Sequence, residues 1–317
     1  FPVETRYRPG SAHDRLEDRV TTVVREALRD DTGDVLVFLP GRGEIRRTRT
    51  ILDPLEATAV PGGVVELAEL HGSLSPDEQL HVVRSPEPGR RRVILSTSLA
   101  ETSITVPGVR VVVDAGRRRT QRVDPDTGLP ALRTGPVSRA GADQRRGRAG
   151  RLGPGVAYRL WSENDDRHRP ADETPEMLDG DLTALVLQLH AWGVDDPGEL
   201  GWLDVPPPIA VRSAKKLLTE LGALAPDGRL TALGRAMAGI GFHPRLAAIA
   251  VEARRSGLVE LAADALAVIE TSRSDSIDLA ERVRTLGGTD ARLRGQERDP
   301  GGLSHARRLW RRTLEGS

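Results

Sequence analysis

Two arginines three positions apart are the residues of this sequence with the clearest chemical role. Arg148 and Arg151 lie in the segment Gln144-Arg145-Arg146-Gly147-Arg148-Ala149-Gly150-Arg151, and this spacing places both side chains on one face if the segment is helical. A guanidinium group keeps its charge and forks around phosphate oxygens, so two on one face suit a transferring γ-phosphate. Spacing alone leaves open a solvated arginine turn or a general RNA-binding segment.

Two further polar segments follow apolar runs that read as strands. His71-Gly72-Ser73 come directly after Leu70, and Arg117-Arg118-Arg119 come after Asp114-Ala115-Gly116. Parallel sheets place ligand-binding loops at the carboxyl ends of their strands, so we expect contacts with nucleic-acid phosphate at His71, Gly72 and Ser73. An ordinary strand-to-helix turn is the alternative there, and a solvated arginine run is the default interpretation of the triplet.

The first half of the chain supplies the elements that must position these segments. Its β-branched runs are mainly apolar and do not alternate regularly with polar residues, and they cover residues 35–39, 64–70, 93–96, 109–113 and 156–160. Continuous apolar runs are typical of parallel strands that helices cover on both faces. We therefore predict an α/β, doubly wound lobe, with a strand over residues 1–7 and a projecting β-hairpin around the turn Asp124-Pro125-Asp126-Thr127-Gly128.

The second half of the chain has apolar residues at helical spacing. The periodic segments are residues 181–192, 210–221, 230–237 and 244–255. Gly193 and Gly222 stand where helix C-caps are expected, and Asp227-Gly228 indicates a small wing or turn between helices. We predict a first domain over residues 1–170, a winged-helix domain over 171–242, and a helical segment over 243–317 whose tail, from Thr271, is loosely packed.

Composition excludes several classes of protein. No apolar run approaches the length that crosses a bilayer, and the absence of cysteine excludes disulfides, thiolate zinc sites and cysteine nucleophiles. The seven histidines have no ligand spacing, so we predict no metal site, and the lack of cysteine leads us to expect a cytoplasmic location. The 46 basic residues balance 46 acidic ones, so any nucleic-acid binding must come from local patches.

Four segments together resemble the motifs of superfamily 2 helicases, in the order that those enzymes have them. The arginine segment is similar to motif VI, and residues 96–105 are similar to motif V of the DEAH-box family. Residues 35–45, with Phe38-Leu39-Pro40-Gly41 and Glu44, resemble motif IV, and residues 70–74 match the segment that follows the next strand. Within the family, the resemblance is closest to the bacterial HrpB-type helicases.

The resemblance implies a RecA-like second motor lobe, followed by winged-helix and helical-bundle modules, of a helicase that uses ATP and Mg²⁺. Gln144, Arg148 and Arg151 match the γ-phosphate contacts of the family, with the two arginines acting as fingers, and Arg145 supports the motif. Ser103 matches a motif V serine that senses the nucleotide state, although a helix N-cap is an equal alternative.

The same resemblance implies contacts with a single strand of nucleic acid, with RNA favoured over DNA. Thr97 and Ser98 match positions that contact the nucleic-acid backbone, although the family usually has Asn where Ser98 stands. The family context also makes Arg117 and Arg119 candidates for contact with the strand.

The sequence lacks the half of the ATP site that holds the phosphates and Mg²⁺ in this family. Lysine occurs only at positions 215 and 216, which leaves no place for a P-loop, and no Asp-Glu-x-His box is present. We expect the C-terminal part of a longer protein whose first RecA-like lobe is its partner, and no ATP hydrolysis by this part alone. A stand-alone nucleic-acid-binding module and a degenerate regulatory lobe are the alternatives.

Overall fold

The computed structural model describes residues 1–11, 13–84, 87–102, 105–123, 130–271, 279–280, 283 and 303–315. The chain divides into two compact units. The first consists of Phe1–Arg122 and Ala131–Thr174, and the second contains Pro175 and the helices that follow it.

A central sheet organises the first unit. Its strands are, in chain order, β1 (Val3–Tyr7), β2 (Asp34–Phe38), β3 (Ala59–Val60), β4 (Gly63–Leu70), β5 (Arg90–Ser96), β6 (Val109–Asp114) and β9 (Gly155–Arg159). Between β6 and β9, the strands β7 (Arg117–Val123) and β8 (Pro130–Pro136) form a separate two-stranded sheet. The order across the sheet is β1-β9-β6-β2-β5-β4-β3, and every neighbouring pair is parallel except β3 with β4. The carboxyl ends of six strands therefore share one edge of the sheet.

Helices cover both faces of this sheet. The first unit contains α1 (Leu16–Asp30), α2 (Arg42–Leu52), α3 (Pro76–Val83), α4 (Leu99–Thr102), α5 (Arg139–Gly147) and α6 (Glu163–His168). Val35 and Val37 pack into a core with α1 and α2, whereas Leu36 and Phe38 pack into a second core with α4. This arrangement confirms the prediction of an α/β lobe, and its central strands are buried on both faces.

Strand β5 begins three residues before the predicted start, because two of its arginines are buried. The guanidinium group of Arg91 donates to the carbonyl oxygens of Leu28 at 2.6 Å and Ala27 at 3.0 Å, at the end of α1. Arg92 bonds Asp34 Oδ2 at 2.8 Å and donates to the carbonyl of Val82, at the end of α3, also at 2.8 Å. A cation at a helix C-terminus binds the free carbonyl groups and interacts favourably with the negative end of the helix dipole.

The second unit is helical. It contains α7 (Glu176–Asp179), α8 (Thr183–Ala191), α9 (Pro208–Glu220), α10 (Ala232–Ile240), α11 (Pro244–Ser256), α12 (Val259–Thr271) and α13 (Leu303–Glu315). Gly193 and Gly222 follow α8 and α9 with φ of 86° and 72°, so both act as the predicted helix caps. A single antiparallel bridge joins Leu224 to Leu230 around Gly228, at the predicted wing. No helix of the described residues is long and apolar enough to span a bilayer.

Helix α13 contradicts the expectation of a loosely packed tail. Trp310 has no exposed surface, and its ring lies 4.0 Å from that of Phe242, centroid to centroid. Ala306, Trp310 and Leu314 recur every four residues and are all buried in the core of the second unit. The prediction was wrong for residues 303–315 because the arginines between these positions, on the exposed face, hid the apolar stripe.

We expect Trp310→Ala to lower the free energy of unfolding by about 3–5 kcal/mol, since it leaves a cavity in a packed core. Leu309→Ala is the matched control, because Leu309 is 41% exposed and its loss should change stability by less than about 0.5 kcal/mol. Urea unfolding followed by circular dichroism measures both. Equal stability of the two variants would contradict the packing of α13.

Candidate functional site

The arginine segment forms the end of α5 and the turn after it. The Ser138 hydroxyl accepts a hydrogen bond from the Gly141 backbone N–H at 3.0 Å, which fixes the start of the helix. After Gly147, residues Arg148–Gly150 continue as a 3₁₀ turn. Side chains three residues apart nearly eclipse each other in such a turn, so Arg148 and Arg151 project from the same side.

Arg145 is the buried anchor of this segment. It is 1% exposed, its Nε lies 2.9 Å from Glu101 Oε2, and its Nη1 lies 2.9 Å from Asp114 Oδ1. Burial acts against the charge of Arg145, but the carboxylates of Asp114 and Glu101 outweigh it and raise the pKa. Arg145 therefore fastens α5 to the end of β6 and to α4, and it is not available to a ligand.

Arg148 and Arg151 both contact the segment that follows β5. Arg148 is 8% exposed and donates through Nη2 to the carbonyl oxygen of Glu101. Arg151 is exposed and donates through Nη1 to the hydroxyl of Thr105. Burial, and then the charge of Arg151, lower the pKa of Arg148. The two like charges are thus held close together, which is the arrangement that an anion would stabilise.

Gln144 is the third predicted nucleotide-binding residue in the part of the chain that the structure describes. It is exposed on α5, one helical turn before Arg148, so the two side chains lie on neighbouring positions of one face. Ser103, the fourth predicted member, lies outside the described residues. The structure therefore groups Gln144, Arg148 and Arg151 on α5 and its following turn.

A second group of predicted residues lies at the carboxyl edge of the sheet. His71, Gly72 and Ser73 follow β4, and Thr97 and Ser98 follow the adjacent strand β5. The two loops are joined, because the Thr97 backbone N–H donates to the carbonyl of Leu70 at 3.2 Å. Gly72, Ser73 and Ser98 are exposed. The structure thus brings the two segments together at one edge of the sheet, and their contact with nucleic acid stays a prediction.

His71 is held inside its loop. Its Nδ1 lies 2.9 Å from Ser73 Oγ, and its Nε2 lies 3.6 Å from Glu69 Oε2. Burial, and then the charge of Arg42, lower the pKa of His71, so the ring is neutral at pH 7. Any attraction for phosphate in this loop therefore comes from backbone N–H groups and the Ser73 hydroxyl, with Arg42 as the nearby cation.

The arginine triplet of the hairpin has three different environments. Arg117 is exposed at the start of β7, whereas Arg118 pairs with Glu173. Arg119 is 17% exposed and bonds Glu44 Oε2 at 3.1 Å, packed over Gly41. Arg117 and Arg119 are the two arginines of the hairpin predicted to contact a strand of nucleic acid. The guanidinium group of Arg117 is open to a ligand, whereas that of Arg119 joins the hairpin to α2.

Three residues that position this site have no role that could be recognised from the sequence alone. Glu101 and Thr105 hold the arginines of the motif, and Glu44 holds Arg119. Glu101 and Arg145 are 44 positions apart, so no local spacing signals their pairing. Among the residues that the structure describes, no group of three or more His, Asp or Glu side chains could hold a metal ion.

Comparison with known proteins places this geometry in a family. Residues 18–153 match the helicase conserved C-terminal domain, and residues 216–241 match the winged-helix helicase-associated domain HA2. The ATP-dependent RNA helicase HrpB of Escherichia coli (strain K12) is 43% identical over 270 residues, which are 85% of this chain and 33% of HrpB. A crystal structure of Escherichia coli DEAH/RHA helicase HrpB has a TM-score of 0.82 and 38% identity over 99% of this chain and 38% of that one.

The chain belongs to the DEAH-box helicases. Every predicted site residue of this DEAH-box chain falls within the helicase C-terminal match, and the winged-helix prediction is confirmed by the HA2 match. The ATP-dependent RNA helicase HrpA of Escherichia coli (strain K12) is 36% identical over 82% of this chain and 20% of HrpA. The chain thus spans about a third of the length of HrpB and a fifth of that of HrpA.

We expect Arg145→Ala to lower the free energy of unfolding of the first unit by about 3–5 kcal/mol, because the buried carboxylate of Asp114 and the partly buried one of Glu101 lose their cation. Arg139→Ala on the same helix is the control, since Arg139 is exposed and has no side-chain partner among the described residues. Urea denaturation of both variants provides the measurement. An Arg145→Ala protein as stable as its control would show that the ion pairs do not anchor α5.

Proposed function

We propose that this chain is the second motor lobe, with its accessory helical part, of an ATP-dependent helicase that moves on single-stranded RNA. One observation carries the proposal: Arg148 and Arg151 are held by Glu101 and Thr105. Glu101 and Thr105 lie on the same short stretch of chain as Thr97, which is at the edge of the sheet where we predict contact with the RNA strand. Movement of this stretch would change both sites together.

The arginine group has the donors that a γ-phosphate requires. Bound ATP supplies the phosphoryl group that water attacks, with charge spread over the phosphoryl oxygens in the transition state. Arg148 and Arg151 offer fixed guanidinium groups to those oxygens, and Gln144 offers an amide that can bind an oxygen or orient water. The resemblance to DEAH-box helicases leads us to place the Mg²⁺ ligands on a first lobe of the same protein.

The loops at the carboxyl edge suit contact with the strand backbone. Gly72, Ser73 and Ser98 are exposed, and short hydroxyl side chains and free backbone N–H groups bind phosphate without reading base identity. Thr97 and Arg117 extend this row along the same edge of the sheet. RNA as the substrate is supported by the names of the relatives HrpB and HrpA, and a cytoplasmic location is part of the same proposal.

In the intact protein, we expect Arg148→Ala to lower the rate of RNA-stimulated ATP hydrolysis by about three orders of magnitude. Arg148→Lys should recover little of the rate, because an ammonium group lacks the planar fork. Arg139→Ala serves as the matched control, and RNA affinity without nucleotide should stay the same in all three. Hydrolysis by Arg148→Ala at the rate of the control would refute the assignment.

We expect the 317-residue chain alone to bind single-stranded RNA and to show no ATP hydrolysis above background. The physical reason is that arginine donors without a Mg²⁺ site and a phosphate loop stabilise charge but do not position ATP. Phosphate release with and without RNA measures activity, and fluorescence anisotropy measures binding. RNA-stimulated turnover by the isolated chain would contradict the division of the site between two lobes.

A further inference from the structure

A separate pocket opens at the carboxyl ends of β6 and β9, within the first unit. Its volume is about 400 Å³, and three arginines line it: Arg19 from α1, Arg117 from β7 and Arg169 after α6. Asp165 is the acidic residue of the lining, and Gly116 and Gly135 form parts of the wall. None of the predicted nucleotide-binding residues belongs to this lining, whereas Arg117 is also one of the residues predicted to contact the nucleic-acid strand.

The positive charges of this pocket are not balanced by ion pairs within the described part of the chain. Arg19 donates to the carbonyl oxygen of Leu160, and Arg169 donates to the carbonyls of Gly116 and Val137, both at 2.9 Å. None of the three arginines has a carboxylate partner there. Other arginines of the first unit do, including Arg118, Arg119 and Arg159.

The carboxylates nearest to Arg169 are already used elsewhere. Asp114 pairs with Arg145, and Asp166 binds Arg159 and the indole N–H of Trp161. Asp165 accepts a hydrogen bond from the backbone N–H of Ser162, at the start of α6. The lining therefore keeps a net positive charge of its own.

Two buried donors in this pocket lack acceptors. The Nε atoms of Arg19 and Arg169 are shielded from solvent and have no hydrogen-bond partner in the described structure. Buried polar atoms are nearly always paired, and an unpaired one commonly marks the place of an ion or water. Burial also lowers the pKa of Arg169, with nearby carboxylates acting in the opposite direction. An anion in the pocket would compensate both the donors and the charge.

Two of the three arginines, Arg19 and Arg169, are fixed before any ligand arrives. The guanidinium group of Arg169 lies 4.0 Å above the ring centroid of Trp161, and a Cβ atom at Gly116 would collide with both side chains. A Cβ atom at Gly10 would likewise collide with Arg19. Two glycines of the lining thus make room for two arginines, which reduces the ordering cost of binding.

We propose that this pocket binds a phosphate-bearing anion at a place that is separate from Arg148 and Arg151. Guanidinium groups match phosphate oxygens in geometry and charge, and the volume is in the range of small-ligand sites. Because Arg169 covers the face of Trp161, the pocket offers no aromatic surface for a base. Recognition therefore rests on phosphate groups, either those of a small polyphosphate or those of a nucleic-acid backbone.

Gly135 allows a test that removes none of these contacts. It lines the pocket, and a Cβ atom there would meet nothing within 4 Å. Gly135→Asp adds a carboxylate beside the arginines, and Gly135→Asn adds a side chain of the same shape without charge. We expect the Asp variant of the 317-residue chain to bind tripolyphosphate about tenfold or more weakly than the Asn variant, as measured by isothermal titration calorimetry.

A second arm of the experiment identifies the source of the phosphate. The same pair of variants is titrated with a single-stranded RNA oligonucleotide, and thermal unfolding verifies that both are folded. Weaker binding of tripolyphosphate alone by Gly135→Asp supports a site for a small phosphate compound, and weaker binding of RNA supports a site for the strand backbone. Equal affinities of the two variants for both probes overturn the proposal, and this result would leave the ATPase assignment of Arg148 unaffected.

Discussion

The buried guanidinium group of Arg145 is the interaction on which the arrangement of this lobe depends. It joins three parts of the chain that are distant in sequence: α5, the end of β6 at Asp114, and α4 at Glu101. Removing a charge from water is costly unless good partners surround it, so the lobe has one favourable position for α5. The positions of Arg148 and Arg151 follow from that constraint, because Arg148 comes only three residues after Arg145 in the chain.

The parallel sheet holds the two groups of predicted site residues apart and also connects them. Short polar side chains stand at the carboxyl edge, after β4 and β5, whereas the paired arginines lie beside the face covered by α4 and α5. The stretch between Thr97 and Thr105 belongs to both regions, since its first residues are bonded to the neighbouring loop and its last ones hold the arginines. A rigid sheet with one shared connecting stretch is a simple way to let one site respond to another.

Much of this organisation can be predicted from sequence because it depends on local pattern. Continuous apolar runs identified the central strands, and the positions of polar residues after those runs identified the edge. Arg91, Arg92 and Arg145 could not be predicted in the same way, since a buried arginine looks like an exposed one until its distant partners are known. The close packing of the helix around Trp310 was not predicted for a related reason, because its arginines suggested a loosely packed tail. Arg119 shows the opposite error. It was predicted to contact nucleic acid, but its guanidinium group is paired with Glu44.

The position of β1 has a consequence for how the lobe is made. Its only partner among the described strands is β9, and paired residues such as Val3 and Gly155 are far apart in sequence. Pairings of such long range form late, because a large loop must close first. During synthesis, β1 emerges early and has no neighbour until β9 has left the ribosome. The edge of β6 that β9 later covers also stays open until then, so completion of the sheet couples the first strand of the lobe to the last.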